Sequence, residues 1–164
     1  MIEKIAARHQ AQVIRTPVGQ SYISEAMLEH QAVIGGEGNG AVAIPEVHYT
    51  NDSAATIGLL LEYLATTDRR ISAIAANIPT SVMLKRYVPI EPQLLFSKLN
   101  EVRAKVESAD AASIDFSDGI KLSWPDGWLH IRASNTESML RIIAEADAPQ
   151  RAQELMDWAI DRVR

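Results

Sequence analysis

Arginine and hydroxyl side chains are concentrated in one short segment near the end of the chain. The segment is Arg132-Ala133-Ser134-Asn135-Thr136-Glu137, and Arg141 follows it. Guanidinium groups give a phosphate paired hydrogen bonds, hydroxyls donate further ones, and a tight loop turns backbone N–H groups toward an anion. Because the strands predicted to contain Arg132 and Arg141 are joined by this loop, we expect both arginines at one pocket mouth. A polar connecting loop with two solvated arginines is the alternative.

A glycine-rich loop in the first half of the chain carries a second candidate site. Four of the six residues from Gly35 to Gly40 are glycine, and the other two are Glu37 and Asn39. Glycine permits positive φ angles and close approach to a ligand. A carboxylate that accepts from sugar hydroxyls, beside an amide that donates and accepts, is suited to binding a polyol, although an ordinary tight connection is the alternative. The loop lacks the P-loop and dinucleotide patterns, which disfavours nucleotide binding.

Composition excludes several other classes of function. The sequence has no cysteine, its four histidines lack metal-ligand spacing, and no Asp-x-Asp-x-Asp cluster occurs, so we expect no cofactor or metal bound by this chain. The net charge of −5 argues against general binding to nucleic acid or to an anionic membrane. There is no apolar run of roughly 18 residues and no signal-peptide core, so a cytoplasmic location is expected.

Apolar periodicity and turn residues predict short helices and strands in the first half of the chain. One stripe of apolar side chains in the helix predicted over Ala54–Ala65, which includes Ile57, Leu60, Leu61 and Leu64, predicts that this helix packs into a core. The predicted elements are a helix over Ile2–Arg8, a strand over Ala11–Ile14, a helix over Ser21–Glu29, strands over Ala32–Ile34 and Ala41–Ile44, and helices over Ala54–Ala65 and Ile71–Ile78.

The second half has a different pattern, which places a domain boundary between residues 75 and 90 and predicts domains over residues 1–80 and 81–164. Two Asp-Gly pairs, Asp118-Gly119 and Asp126-Gly127, predict hairpin turns. On its strand, His130 alternates with Arg132 and is expected near the phosphate pocket, with a solvated strand face as the alternative. The predicted elements are strands over Val82–Ile90, Ile114–Phe116, Ile120–Trp124, Trp128–Arg132 and Met139–Ala144, and helices over Leu94–Val106 and Pro149–Val163.

The two loops in this order resemble one enzyme family. Gly36-Glu37-Gly38-Asn39-Gly40, followed by Pro45, Tyr49 and Asn51-Asp52-Ser53, resembles the sugar-recognition loop of the α-D-phosphohexomutases, which include phosphomannomutases, phosphoglucomutases and phosphoglucosamine mutases. The segment from Arg132 to Glu137 resembles their phosphate-binding loop. Arg15-Thr16-Pro17-Val18-Gly19 resembles the family segment that precedes the sugar loop. The resemblance covers essentially the whole chain and corresponds to the carboxy-terminal portion of the family.

The resemblance implies a fold and a set of site residues. Residues 1–80 would be an incomplete third domain of α/β class, with a mixed sheet and helices. Residues 81–164 would be an α+β, TBP-like fourth domain with an antiparallel sheet and helices. The implied sugar-binding residues are Glu37 and Asn39, and the implied phosphate-binding residues are Arg132, Ser134, Asn135, Thr136 and Arg141.

The resemblance also implies a reaction, in which phosphate moves between the C1 and C6 hydroxyls of a hexose through a phosphoserine and a bisphosphorylated intermediate. The family's serine and Mg²⁺ loops belong to its first and second domains, and their motifs are absent from this sequence. We therefore expect this chain to bind hexose phosphate without mutase activity of its own. The expected partners are the amino-terminal mutase domains, or a second copy paired through the incomplete sheet. A non-catalytic phosphosugar-binding module and a truncated fragment are the alternatives.

Overall fold

The structure is a computed structural model that describes residues 1–106, 110–134 and 136–163. The chain divides after Pro79 into two units, residues 1–79 and residues 80–164. Within the described residues, no helix is both long enough and apolar enough to cross a membrane.

The first unit combines helices with a small antiparallel sheet. Its three strands are ordered β1-β2-β3 and both pairings are antiparallel, whereas a mixed sheet was expected. Asp52 starts the longest helix, because its carboxylate accepts from the N–H of Ala55 at 2.8 Å and so caps the helix N-terminus. The elements are α1 (Ile2–Arg8), α2 (Gln20–Glu29), β1 (Gly35–Gly36), β2 (Val42–Ile44), β3 (His48–Asn51), α3 (Ser53–Thr67) and α4 (Ile71–Ala75).

Two strands predicted in this unit are wrong. Residues 11–14 form no regular structure, and the apolar run Ala32–Ile34 is not a strand. The N–H of Ala32 instead bonds to the carbonyl of Met27 at 3.0 Å, which folds the chain back at the end of α2. The strand forms at Gly35 and Gly36, where a side chain on Gly35 would collide with Met27 and Ile23. Only glycine lets this strand lie so close to α2.

The core of the first unit is small. Ile23 and Met27 of α2 are buried against Ala43 of β2, and the Ser24 hydroxyl donates to the carbonyl of Tyr49 on β3 at 2.6 Å. The prediction that α3 packs into a core is wrong for the described residues, because no residue of α3 is buried. Of its apolar stripe, Ile57, Leu60 and Leu61 are exposed and Leu64 is half-buried.

The second unit is a five-stranded antiparallel sheet with the order β4-β8-β7-β6-β5. The Asp-Gly pairs lie at the two predicted hairpin turns, and the strand and helix predictions for this half are confirmed to within a few residues. The elements are β4 (Val82–Pro89), a short 3₁₀ turn (Pro92–Leu94), α5 (Leu95–Val106), β5 (Ser113–Asp115), β6 (Ile120–Trp124), β7 (Gly127–Ala133), β8 (Met139–Ala146) and α6 (Pro149–Val163).

Both helices of this unit pack on the same face of the sheet. Strand alternation directs Leu129, Ile131 and Ile142 toward the helices, and all three are fully buried. The opposite face carries polar and aromatic side chains, which include Tyr87, Lys121, Trp128, His130, Arg132 and Arg141. Hydrophobic burial therefore stabilises one face of the sheet and leaves the other available for polar residues.

The two faces predict different costs for neighbouring substitutions on β8. Ile142 is 0% exposed in the core, whereas Ile143 is half-buried on the polar face. We expect Ile142→Ala to lower the free energy of unfolding of this unit by about 2–5 kcal/mol, because it leaves a cavity in a packed core. Ile143→Ala is the matched control and should cost less than half as much in urea denaturation. Equal costs for the two variants would contradict this placement of the core.

Candidate functional site

The two predicted arginines lie directly opposite each other, Arg132 on β7 and Arg141 on β8. Arg132 is only 8% exposed, and its Nη1 donates to the carbonyl of Ala133 at 3.1 Å. Arg141 is paired with Glu137 at 3.2 Å. The Nε atoms of both arginines are buried and have no hydrogen-bond partner among the described residues. Two positively charged side chains are therefore cross-strand neighbours, which is an arrangement suited to a phosphate dianion.

The loop between these arginines is a tight reversal. The N–H of Ser134 donates to the carbonyl of Met139 at 3.0 Å, and the N–H of Thr136 lies 3.5 Å from the Ser134 hydroxyl oxygen. Ser134 is buried, whereas Thr136 is exposed. Asn135, which was predicted to bind phosphate, lies outside the described residues. The hairpin thus places Ser134 and Thr136 in the loop that joins the two arginine-bearing strands.

The turn between β5 and β6 lies against the backbone of Arg132. Gly119 in this turn has a φ of 76°, a value that glycine adopts without strain. A Cβ atom at this position would collide with the carbonyl oxygen of Ile131 and would lie 2.9 Å from the Cα of Arg132. The Asp-Gly motif predicted the turn, but no sequence signal indicated this contact.

His130 lies beside this turn on the same strand face as Arg132. Its Nε2 is 2.5 Å from the carbonyl oxygen of Asp118, and because a carbonyl only accepts, Nε2 carries the proton. Burial lowers the pKa of His130, although the bond to Asp118 opposes this effect. The imidazole is therefore neutral at pH 7.

The structure also identifies an aromatic neighbour that the sequence analysis missed. Tyr87 on β4 is paired with Arg141, and the guanidinium carbon lies 5.9 Å from the centre of the Tyr87 ring. A cation over an aromatic face is attracted to the ring electrons. The aromatic residue of an edge strand gave no local signal of this contact, because it depends on the pairing of β4 with β8.

The second predicted site, the Glu37 loop, is held by its own hydrogen bonds. The Asn39 amide donates to a carboxylate oxygen of Glu37 at 3.0 Å, and its oxygen accepts from the N–H of Ala41 at 2.8 Å. The N–H of Glu37 closes the loop by donating to the carbonyl of Ala41 at 3.0 Å. The structure thus joins Glu37 and Asn39 in the first unit, and the arginines belong to a separate cluster in the second unit.

The described residues do not fit a metal site. Within those residues, no group of three or more histidine, aspartate or glutamate side chains is placed to hold an ion. Magnesium prefers several oxygen ligands in octahedral geometry. We therefore assign no step of this chain's chemistry to a metal.

Comparison with known proteins identifies the family. Residues 1–82 match the family described as phosphoglucomutase/phosphomannomutase, alpha/beta/alpha domain III, and residues 90–161 match the phosphoglucomutase/phosphomannomutase C-terminal domain. The chain belongs to the phosphoglucomutase/phosphomannomutase family. The predicted family, the carboxy-terminal portion of it and the two-part fold class are thereby confirmed.

Relatives of this mutase family are similar over nearly the whole chain. A phosphoglucomutase/phosphomannomutase of Thermococcus kodakarensis is 33% identical over 98% of this chain and 35% of its own length. A probable phosphoglucosamine mutase of Methanopyrus kandleri is 31% identical over 100% of this chain and 36% of its own length. The chain thus spans about a third of the length of these relatives.

Solved structures of the family share the fold. A phosphoglucomutase/phosphomannomutase family protein from Burkholderia thailandensis matches 99% of this chain and 34% of its own, with a TM-score of 0.81 and 20% identity. A putative phosphomannomutase from Thermus thermophilus matches with a TM-score of 0.70 and 25% identity, over 99% of this chain and 33% of its own.

The contact at Gly119 predicts a costly substitution. Gly119→Ala should lower the free energy of unfolding by at least about 1 kcal/mol, because it adds both backbone strain and a collision with β7. Gly119→Asn is the control for strain, since asparagine tolerates positive φ better than alanine does. Because the collision remains, we expect both variants to be destabilised in urea unfolding. A Gly119→Asn protein as stable as the wild type would show that strain alone matters.

The lowered pKa of His130 predicts a pH dependence of stability. The unfolded chain binds a proton near the ordinary pKa of about 6.5, whereas the folded chain resists protonation to a lower pH. The contribution of His130 is therefore complete above pH 6.5 and is lost as the pH falls through the folded-state pKa. Urea unfolding between pH 8 and 5 should show a steeper loss of stability for wild type than for His130→Gln. Parallel curves would contradict the assignment.

Proposed function

We propose that this chain binds the sugar and the non-reacting phosphate of a hexose phosphate, as the carboxy-terminal part of a phosphohexose mutase. In this proposal residues 1–80 are the third domain and residues 81–164 the fourth domain. Glu37 and Asn39 bind sugar hydroxyls, and the phosphate is bound by Arg132, Ser134, Asn135, Thr136 and Arg141.

The observation that carries this proposal is the pair of facing arginines, in which Arg132 is buried and Arg141 is half-buried. Like charges directly opposite each other destabilise a sheet, and a buried cation without a carboxylate partner is costly. Among the described residues, Arg132 has no carboxylate partner, and the donor at its Nε is unused. A bound phosphate dianion would relieve the repulsion between the two guanidinium groups and pair with the Arg132 charge, which a merely structural role for the pair does not account for.

The proposed role is to orient a substrate whose reaction takes place at its other end. Binding energy from the non-reacting phosphate fixes the reacting hydroxyl in position, which lowers the entropic part of the barrier. The Glu37 carboxylate and the Asn39 amide would fix the rotation of the sugar through its hydroxyls. This chain then contributes recognition and orientation, and the phosphoryl-carrying serine belongs to the family's first domain.

Further parts of the proposal concern the whole enzyme. We propose that it uses Mg²⁺ held by its second domain, that the amino-terminal mutase domains are the partner of this chain, and that it acts in the cytoplasm.

Calorimetric titration with glucose 6-phosphate tests the proposed site. Arg132→Ala should weaken binding at least about tenfold, because hydrogen bonds to charged groups contribute about 1.5–3 kcal/mol. Arg86→Ala is the matched control, since Arg86 is an exposed arginine on β4 whose guanidinium donates to the carbonyl of Lys85. Glu37→Gln should weaken binding of the hexose phosphate without changing the response to inorganic phosphate.

Two results would overturn the proposal. Equal binding by wild type and Arg132→Ala would show that the arginine pair does not hold the phosphate. Turnover of glucose 1-phosphate with its bisphosphate by these 164 residues alone would show that the chain carries the reacting groups itself. Binding without turnover, here and after addition of amino-terminal mutase domains, would favour the non-catalytic phosphosugar-binding module.

A further inference from the structure

We infer that His130 is a positioning residue for Arg132: its hydrogen bond to the Asp118 carbonyl holds the β5–β6 turn against β7 and so sets where the Arg132 guanidinium meets a phosphate. This inference rests on the proposed function and adds to it a residue that positions the proposed phosphate-binding Arg132. His130 itself touches no substrate in this account.

The β5–β6 turn contacts two residues on one face of β7. The carbonyl of Asp118 accepts from His130, and Gly119 lies against the backbone of Arg132. The turn is also held internally, because the carboxylate of Asp115 accepts from the N–H of Ser117 at 2.8 Å. The hydrogen bond from His130 to the Asp118 carbonyl therefore fixes the position of the turn relative to β7, next to Arg132.

Arg132 depends on such packing because no ion pair within the described residues orients it. Among the described residues its guanidinium donates to the carbonyl of the adjacent Ala133 alone, and its cross-strand neighbour on β8 is the like-charged Arg141. A long side chain without a charged partner takes its direction from the atoms packed around it. Gly119 of the turn lies against the Cα and Cβ atoms from which this side chain starts.

Burial favours the neutral form of His130, the positive charges of Arg132 and Lys121 act in the same direction, and Asp118 opposes them. Lys121 is paired with it across β6, and Arg132 lies two residues along its own strand. On β8, the directly paired residue is Ile143, with Arg141 and Glu145 on the same face to either side. Asp118 in the turn and Asp115 on β5 are the nearby acids. A second proton on His130 would add a cation beside Lys121 and Arg132. The imidazole therefore keeps a single N–H, which donates to the Asp118 carbonyl.

The test compares substitutions that keep or remove this donor. His130→Gln places an amide N–H near the position of Nε2, whereas His130→Leu removes the donor and His130→Asn is too short to reach. Two readouts are made: the Nε–H resonance of Arg132 in the NMR spectrum without ligand, and the affinity for inorganic phosphate. Ser123→Ala, on the same sheet face two residues from Lys121, is the control.

We expect His130→Gln to bind phosphate within about twofold of wild type, and His130→Leu and His130→Asn to bind about tenfold more weakly with a shifted Arg132 resonance. Leu and Asn variants that are folded and match wild type in both readouts would overturn the inference. A folded Gln variant as weak as the Leu variant would also overturn it. If wild type binds no phosphate, the proposed function fails, and the unliganded Arg132 resonance still decides the role of His130.

Discussion

The constraint that governs the second unit is the placement of two guanidinium groups directly opposite each other on adjacent strands. Arg132 is almost entirely buried there, although Arg141 carries the same charge and no carboxylate among the described residues pairs with Arg132. Such an arrangement is unfavourable by itself, since repulsion and desolvation add. Other interactions of the fold must therefore compensate for this unfavourable electrostatic energy. An anion bound between the arginines would remove the repulsion and would be held more tightly as a result.

The compensating stabilisation comes from apolar burial on the other face of the same sheet. Both helices cover that face with a continuous core in which Leu129, Ile131 and Ile142 are fully buried. Because side chains alternate along a strand, residues that stabilise the unit and the proposed phosphate-binding arginines are interleaved without sharing space. Side chains placed on strands are held more rigidly than side chains on loops, which would suit the proposed role in orienting a substrate.

The first unit has a much smaller buried core than the second unit. Among the described residues its buried cluster consists of Ile23, Met27 and Ala43, and local hydrogen bonds stabilise the Glu37 loop. Two glycines make this possible, because the missing side chain of Gly35 lets the loop start directly against α2 and that of Gly36 lets it lie against the backbone of Ala41. The exposed apolar stripe of α3 marks a helix whose sequence is typical of a buried element.

The sequence by itself determined the elements whose signals are local, such as the Asp-Gly hairpin turns, α6 with its first-turn proline, and the motifs that identify the family. Tertiary structure alone decided which apolar segments are buried. The run Ala32–Ile34 and helix α3 have apolar patterns, yet the first is not a strand and the second is exposed. The contacts of Gly119 with Arg132 and of Tyr87 with Arg141 likewise join residues distant in sequence. Such contacts depend on strand pairing and available space, which no short window of sequence encodes.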